Sequence, residues 1–120
     1  MSSSPDVLYS SDLFVSWSTA PASDLTLSTV ATTTLTAALS TAGTGTLGNT
    51  TIPTFCRAIM NTGATAGDIV LQGPRGIIEC ITLQPGSVAV CRASKILSSG
   101  ASSYSGVTHT TTLASFTVFF

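Results

Sequence analysis

Apolar and polar residues alternate along residues 24–40, DLTLSTVATTTLTAALS. Six of the eight odd positions from 25 to 39 are apolar, against two of the eight even positions from 26 to 40. A period of two marks a half-buried strand, and β-branched Thr and Val sit better on a pleated surface than in a helix. The stretch is long for one strand. It therefore predicts two strands, or one strand bent near Ala31–Thr34, with a helix through Leu35–Leu39 as the minority alternative.

Punctuation sets the remaining elements. Residues 12–18 (DLFVSWS) read as a short strand ended by Pro21, and residues 41–49 (TAGTGTLGN) as a loop or weak hairpin. Residues 55–60 form a strand stopped by Asn61-Thr62-Gly63, and residues 68–71 another stopped by Gly73-Pro74. Strands at 77–83 and 88–96 flank Gln84-Pro85-Gly86-Ser87; a Ser/Gly loop at 98–106 precedes a final strand at 110–120. About eight short strands with turns between them describe one antiparallel β-sandwich or jelly-roll-like domain over residues 12–120. The Ser-rich residues 1–11 are expected to be an extended N-terminal arm, ordered when a partner captures it.

One hairpin is predicted at residue level. Pro85 and Gly86 occupy the second and third positions that a type II turn favours. Pairing Gln84 with Ser87 continues the ladder to Cys80 opposite Cys91 and Glu79 opposite Arg92, a cross-strand ion pair. The thiols would then be neighbours without a disulfide, because that register places them on a hydrogen-bonded pair with the wider Cβ spacing. A type II turn also splays its strands relative to the primed types, so the alternative is that the two strands part and cross between sheets.

Composition narrows the function. Charged residues are 8% of the 120, while 18 Ser and 21 Thr make up about a third of the chain. Four basic residues and a formal net charge of −1 argue against nucleic-acid binding, which needs a clustered basic footprint. No apolar run approaches the roughly 18 to 20 residues of a membrane helix. The opening residues MSSSPDVLYSS contain neither a base nor an apolar block, so the chain is expected to fold in a reducing compartment. Cys56, Cys80 and Cys91 are too few for a disulfide framework and their spacings match no zinc motif, so they read as buried free thiols.

Chemistry does not announce itself. The acids Asp6, Asp12, Asp24, Asp68 and Glu79 are dispersed, and no G-x-S-x-G elbow occurs. His109, in VTHTTT, reads as a strand histidine facing solvent or bonded to a threonine. Gly43, Gly45 and Gly48 lack the strand-to-helix context of a phosphate loop. A non-enzyme without metal or cofactor is expected. Residues 1–50 hold three Asp and no base, whereas residues 51–120 hold four bases against two acids. Scattered surface charge explains that split, as does an acidic edge meeting a neighbour's basic edge. Aromatic residues gather at Tyr9, Phe14 and Trp17 and again at Phe116, Phe119 and Phe120, where they either zip the termini together in the core or anchor an interface. So sparsely charged a domain is expected to bury much of its surface against copies of itself or a scaffold.

The succession FCRAIMNTGATAGDIVLQGPRGIIECITLQPGSVAVCRASKI carries a resemblance. An aliphatic strand runs into Asn61-Thr62-Gly63; a short strand ends Leu71-Gln72-Gly73; then Leu83-Gln84-Pro85-Gly86-Ser87-Val88 follows. This resembles small β-sandwich virion proteins of tailed bacteriophages, of the capsid decoration (cement), head-fibre or spike-base type, over about a third of the chain. The resemblance implies a structural role, a homo-oligomer (often a trimer) and a seat on the capsid or tail; it brings no active site. Asn61, Gly63, Pro85 and Gly86 are its turn residues. The expected function is thus a virion protein, assembled in the host cytoplasm, that binds the major capsid protein and cements the shell. Tail, neck or spike-base proteins and a carbohydrate- or receptor-binding sandwich are the alternatives.

Overall fold

Residues 13–41 and 52–120 are described by a computed structural model. In chain order they form β1 (Phe14–Trp17), β2 (Leu25–Thr26), α1 (Leu27–Thr41), β3 (Ala58–Asn61), β4 (Gly67–Gln72) and β5 (Ile78–Leu83). There follow β6 (Val88–Val90), β7 (Lys95–Leu97), β8 (Ser99–Ala101), β9 (Thr108–Thr110) and β10 (Phe116–Phe119). All strand pairings are antiparallel. One sheet runs β1-β10-β3-β6, a second β2-β7-β4-β5, and β8-β9 make a two-stranded ribbon. Ile59, Phe116 and Val118 of the first sheet meet Ile69, Leu71, Leu83 and Ile96 of the second in a shared core. The fold is an all-β sandwich. The expected arm at 1–11, with Tyr9, lies outside the described residues, as does the 41–49 loop beyond Thr41.

From Leu27 onward the alternating segment is a helix, longer than the minority alternative at Leu35–Leu39, and only Leu25–Thr26 is strand. Leu27 opens α1, its amide donating to the Ser94 carbonyl at 3.0 Å, and Leu27 and Ala31 are both fully buried. The physical reason is arithmetic. A helical stripe repeats every three to four residues, and the i, i+4 members Leu27, Ala31 and Leu35 are all odd positions, so this stripe hides inside a period of two. Thr32 and Thr34 donate their hydroxyls to the carbonyls of Ser28 and Val30, four residues back, at 2.8 and 2.9 Å. Such bonds satisfy hydroxyls inside a helix that intrinsic propensity alone would disfavour.

The turn at 84–87 forms, but its strands do not pair. Ser87 N donates to Gln84 O at 2.9 Å and Gly86 takes φ +78°, the left-handed conformation a type II turn requires at that position. Strand β5 then pairs with β4, Leu71 opposite Glu79 and Val70 opposite Cys80, whereas β6 pairs with β3, Ala58 opposite Val90. The Cys80–Cys91 and Glu79–Arg92 register is corrected accordingly. Asn61 is the cause: its amide donates to Ser87 O at 3.0 Å and its carbonyl accepts from Gly86 N at 2.9 Å, so the returning chain is captured by the other sheet. The expected strand at 88–96 likewise divides into β6 and β7, one in each sheet; the expected 98–106 loop contains β8, and the final strand at 110–120 shortens to β10, with Thr110 ending β9.

The two sheets are covered differently. Ile69, Val70 and Leu71 are consecutive and all buried, which in a strand means that both faces are packed. The β8-β9 ribbon lies over the outer side of the second sheet. Thr111 bonds both Val70 N (3.0 Å) and Leu97 O (2.6 Å), and a side chain at Gly100 would meet Leu97, Val70 and Ile78. Among the described residues nothing comparable covers the first sheet.

Candidate functional site

The outer face of the first sheet is built by register. Antiparallel partners point to the same side, so the pairings Phe14–Phe119–Ala58–Val90 make one row across all four strands. Ser16–Thr117–Met60–Val88 make the next. None of these eight residues is charged. Phe14 is 57% exposed, Val88 51% and Val90 89%. The Phe14 and Phe119 rings lie 6.2 Å apart, and within the second row the Ser16 and Thr117 hydroxyls bond each other at 2.7 Å. The two polar groups on the face therefore satisfy one another, and covering them loses little hydrogen bonding to water.

The terminal aromatic residues divide between the two faces. Trp17 points inward and stacks on the buried Phe116, ring centroids 4.9 Å apart. Phe14 and Phe119 point outward. Phe120 packs at the core margin, its amide donating to Leu13 O and its carbonyl accepting from Arg57 Nε at 3.0 Å. Pairing of β1 with β10 thus places Trp17 and Phe116 in the core, and the rings of Phe14 and Phe119 remain on the surface.

The turn residues converge on one polar knot. Asn61 is fully buried, and its side-chain amide donates to Thr65 O and Leu83 O, both at 2.9 Å, while its Oδ1 accepts from Gly63 N at 2.9 Å. Gly63 stands against Ser115, where an added Cβ would sit 3.1 Å from that residue's Cβ. Pro85 and Gly86 form the exposed tip above it. This knot holds β3, the end of β5 and the β5–β6 turn together.

Glu79 and Arg92 share a groove rather than an ion pair. The groove, about 400 Å³ and open to solvent, lies between the edge strands β5 and β6, with Leu71, Ile77 and Val90 among its apolar walls. The Arg92 guanidinium sits over the Phe55 ring, 5.0 Å from its centre. Cys91 also lines this groove, and behind it Cys56 is buried, the two Sγ atoms 3.9 Å apart. The hydrogen bond from Cys91 draws the Cys56 thiol from 9.0 down to about 7, against the opposing effect of burial. The same bond, with burial and the nearby charges of Cys56 and Glu79, pushes the Cys91 thiol up. Cys80 lies on the far side of β5, its thiol raised by burial and by Asp68.

Comparison with protein-family models, with curated proteins and with solved structures finds no match.

Sequence reasoning named Phe14 and Phe119 but missed Val88, Val90 and Met60, and it paired Cys91 with the wrong thiol. The signal for the first was present: Val-Ala-Val alternates, and Val88 and Val90 share a face. Which face was outward depended on knowing that β6 joins β3.

Proposed function

We propose that this chain is a non-enzymatic structural subunit that works through the uncharged outer face of its first sheet, as a virion protein decorating or cementing a bacteriophage capsid. The observation that carries the contact role is that face, with Phe14, Val88 and Val90 presented to solvent while the second sheet is packed on both sides. From strand spacing and rise, a four-stranded patch of this length covers roughly 250 Å², about a third of the ~800 Å² per partner in a standard interface. It has the size of an apolar interface core, and the surrounding Ser and Thr hydroxyls supply a polar rim. Having no charge, the face meets a neighbouring copy without like-charge repulsion, which favours a homo-oligomer; the resemblance to phage virion proteins implies a trimer. Seating on the major capsid protein follows from the resemblance of residues 55–96 to phage virion proteins; a place in the tail, neck or spike base is the alternative. A carbohydrate-binding role is less well supported, because Trp17, the sole tryptophan, is engaged by Phe116.

Light scattering on the purified chain tests the contact role. An oligomer is expected, reduced to a 12.1 kDa species by Val90→Asp with an unchanged circular dichroism spectrum. A wild-type chain that stays at that mass at high concentration overturns it. Quantitative mass spectrometry of purified virions tests the location: hundreds of copies per particle place the chain on the shell, a few copies at a tail or vertex, and absence removes the virion reading.

A further inference from the structure

We propose that Cys56 and Cys91 are a dithiol site that exchanges with small disulfides and closes into an intramolecular Cys56–Cys91 bond. The site is set by geometry. Cys56 N donates to Ala93 O at 3.0 Å and Cys91 N to Arg57 O at 3.3 Å, so backbone bonds hold the two segments side by side, with the Sγ atoms 3.9 Å apart. Access is one-sided: Cys91 lines the groove and Cys56 is 1% exposed. Cys80, across β5 and facing the other way, has no thiol neighbour among the described residues.

The division of labour follows from that arrangement. A disulfide RS–SR entering the groove meets Cys91 first. Cys56, the more acidic of the two, first loses its proton to water and then takes the Cys91 proton, and the Cys91 thiolate attacks one sulfur of RS–SR. The S–S bond breaks, a Cys91–S–S–R mixed disulfide forms, and RS⁻ leaves to take a proton from water. Cys56 then gives up its proton to solvent, attacks the Cys91 Sγ and expels the second RS⁻, which is protonated in turn. In sum, two protein thiols lose two electrons and two protons to RS–SR, giving one protein disulfide and two RSH. Cys56, with its Sγ 3.9 Å from that of Cys91, is the thiol placed to attack it in the resolving step, where a thiolate is the attacking species. The bond would tie the exit of β6 to the segment entering β3. It depends on no partner, so it stands or falls separately from the oligomer reading.

The test is incubation of the fully reduced chain with oxidised glutathione, read by thiol titration in denaturant and by intact and peptide mass. Free thiols are expected to fall from three to one, with the mass lower by two hydrogens and the Cys56 and Cys91 peptides joined. Cys56→Ser is expected to retain one glutathionyl group on Cys91, and Cys91→Ser to leave the buried Cys56 unreacted. Cys80→Ser, which leaves the pair intact, is expected to close as the wild type does, so the proposal remains testable if a pair variant fails to fold. Three free thiols after oxidation, a stable adduct on Cys91 in the wild type, or a bond that includes Cys80 overturns it.

Discussion

Asn61 and Leu83 join the two sheets: the buried side-chain amide at the end of β3 donates to the carbonyl at the end of β5, at 2.9 Å. The same amide group holds Thr65 O, and its oxygen holds Gly63 N. Asn61→Ala strands these groups, and each buried unpaired group costs about 1 to 3 kcal/mol. Because Thr65 lies near solvent, the expected total loss is about 2 to 4 kcal/mol. Asn61→Asp is expected to be at least as damaging, since a carboxylate keeps the Gly63 bond but confronts two carbonyl oxygens with no donor. Urea denaturation checks both, as a lower midpoint at unchanged slope.

Gly67 and Gly86 both resist a side chain, but for different reasons. A Cβ on Gly67 would lie 2.7 Å from the Leu113 Cα, a backbone atom with no freedom to withdraw, so Gly67→Ala is expected to cost about 2 to 3 kcal/mol. Gly86 has open space around it and only its φ of +78° to protect, so Gly86→Ala is expected to cost about 1 kcal/mol. Thermal melts of the two variants side by side decide the order.

The thiol pair gives the reduced protein a pH dependence in the alkaline range. Cys56 is lowered from 9.0 to about 7 on folding, so its contribution is fully present above the unfolded value and is lost as the pH falls through about 7. Cys91 is raised, so its contribution is present below the unfolded value and lost as the pH climbs beyond it. From about pH 7 to about pH 9 the folded pair binds fewer protons than the unfolded chain, and stability rises by no more than about 1.4 kcal/mol per pH unit. Above that range it declines. Urea midpoints in the presence of reductant trace the curve, and Cys91→Ala is expected to flatten the rise.

Arg92 is expected to couple to Phe55 and not to Glu79. A guanidinium over a ring contributes about 0.5 to 1 kcal/mol, and the Phe55→Ala, Arg92→Ala cycle should return a value in that range. The Glu79→Ala, Arg92→Ala cycle should return less. A larger coupling in the second cycle would restore the hairpin pairing that the sheet topology replaces.

Much of this architecture is visible in the residues themselves. The strand cores at Phe14–Trp17, Gly67–Gln72 and Ile78–Leu83 coincide closely with alternating or continuous apolar runs between Gly, Pro and Asn stops. The Pro85-Gly86 turn is legible because only a few residue types tolerate its dihedrals. Residues 27–41 are misread because a stripe of Leu27, Ala31 and Leu35 satisfies a period of two and a helical period at once. The burial of Leu27 against both sheets resolves the ambiguity.

Local chemistry by itself determined the class of structure, the turn positions, the scarcity of charge and the two clusters of aromatic residues. Tertiary structure alone decided strand partnership. A turn fixes where the chain reverses, but the side to which it returns is set by which strand offers free backbone groups, and Asn61 captures the segment after Gly86. From that choice follow the open face with Val88 and Val90, the separation of Glu79 from Arg92, and the pairing of Cys91 with Cys56 rather than Cys80. Such long-range pairings rest on hydrogen bonds that any backbone can make, so the sequence leaves no local mark of them.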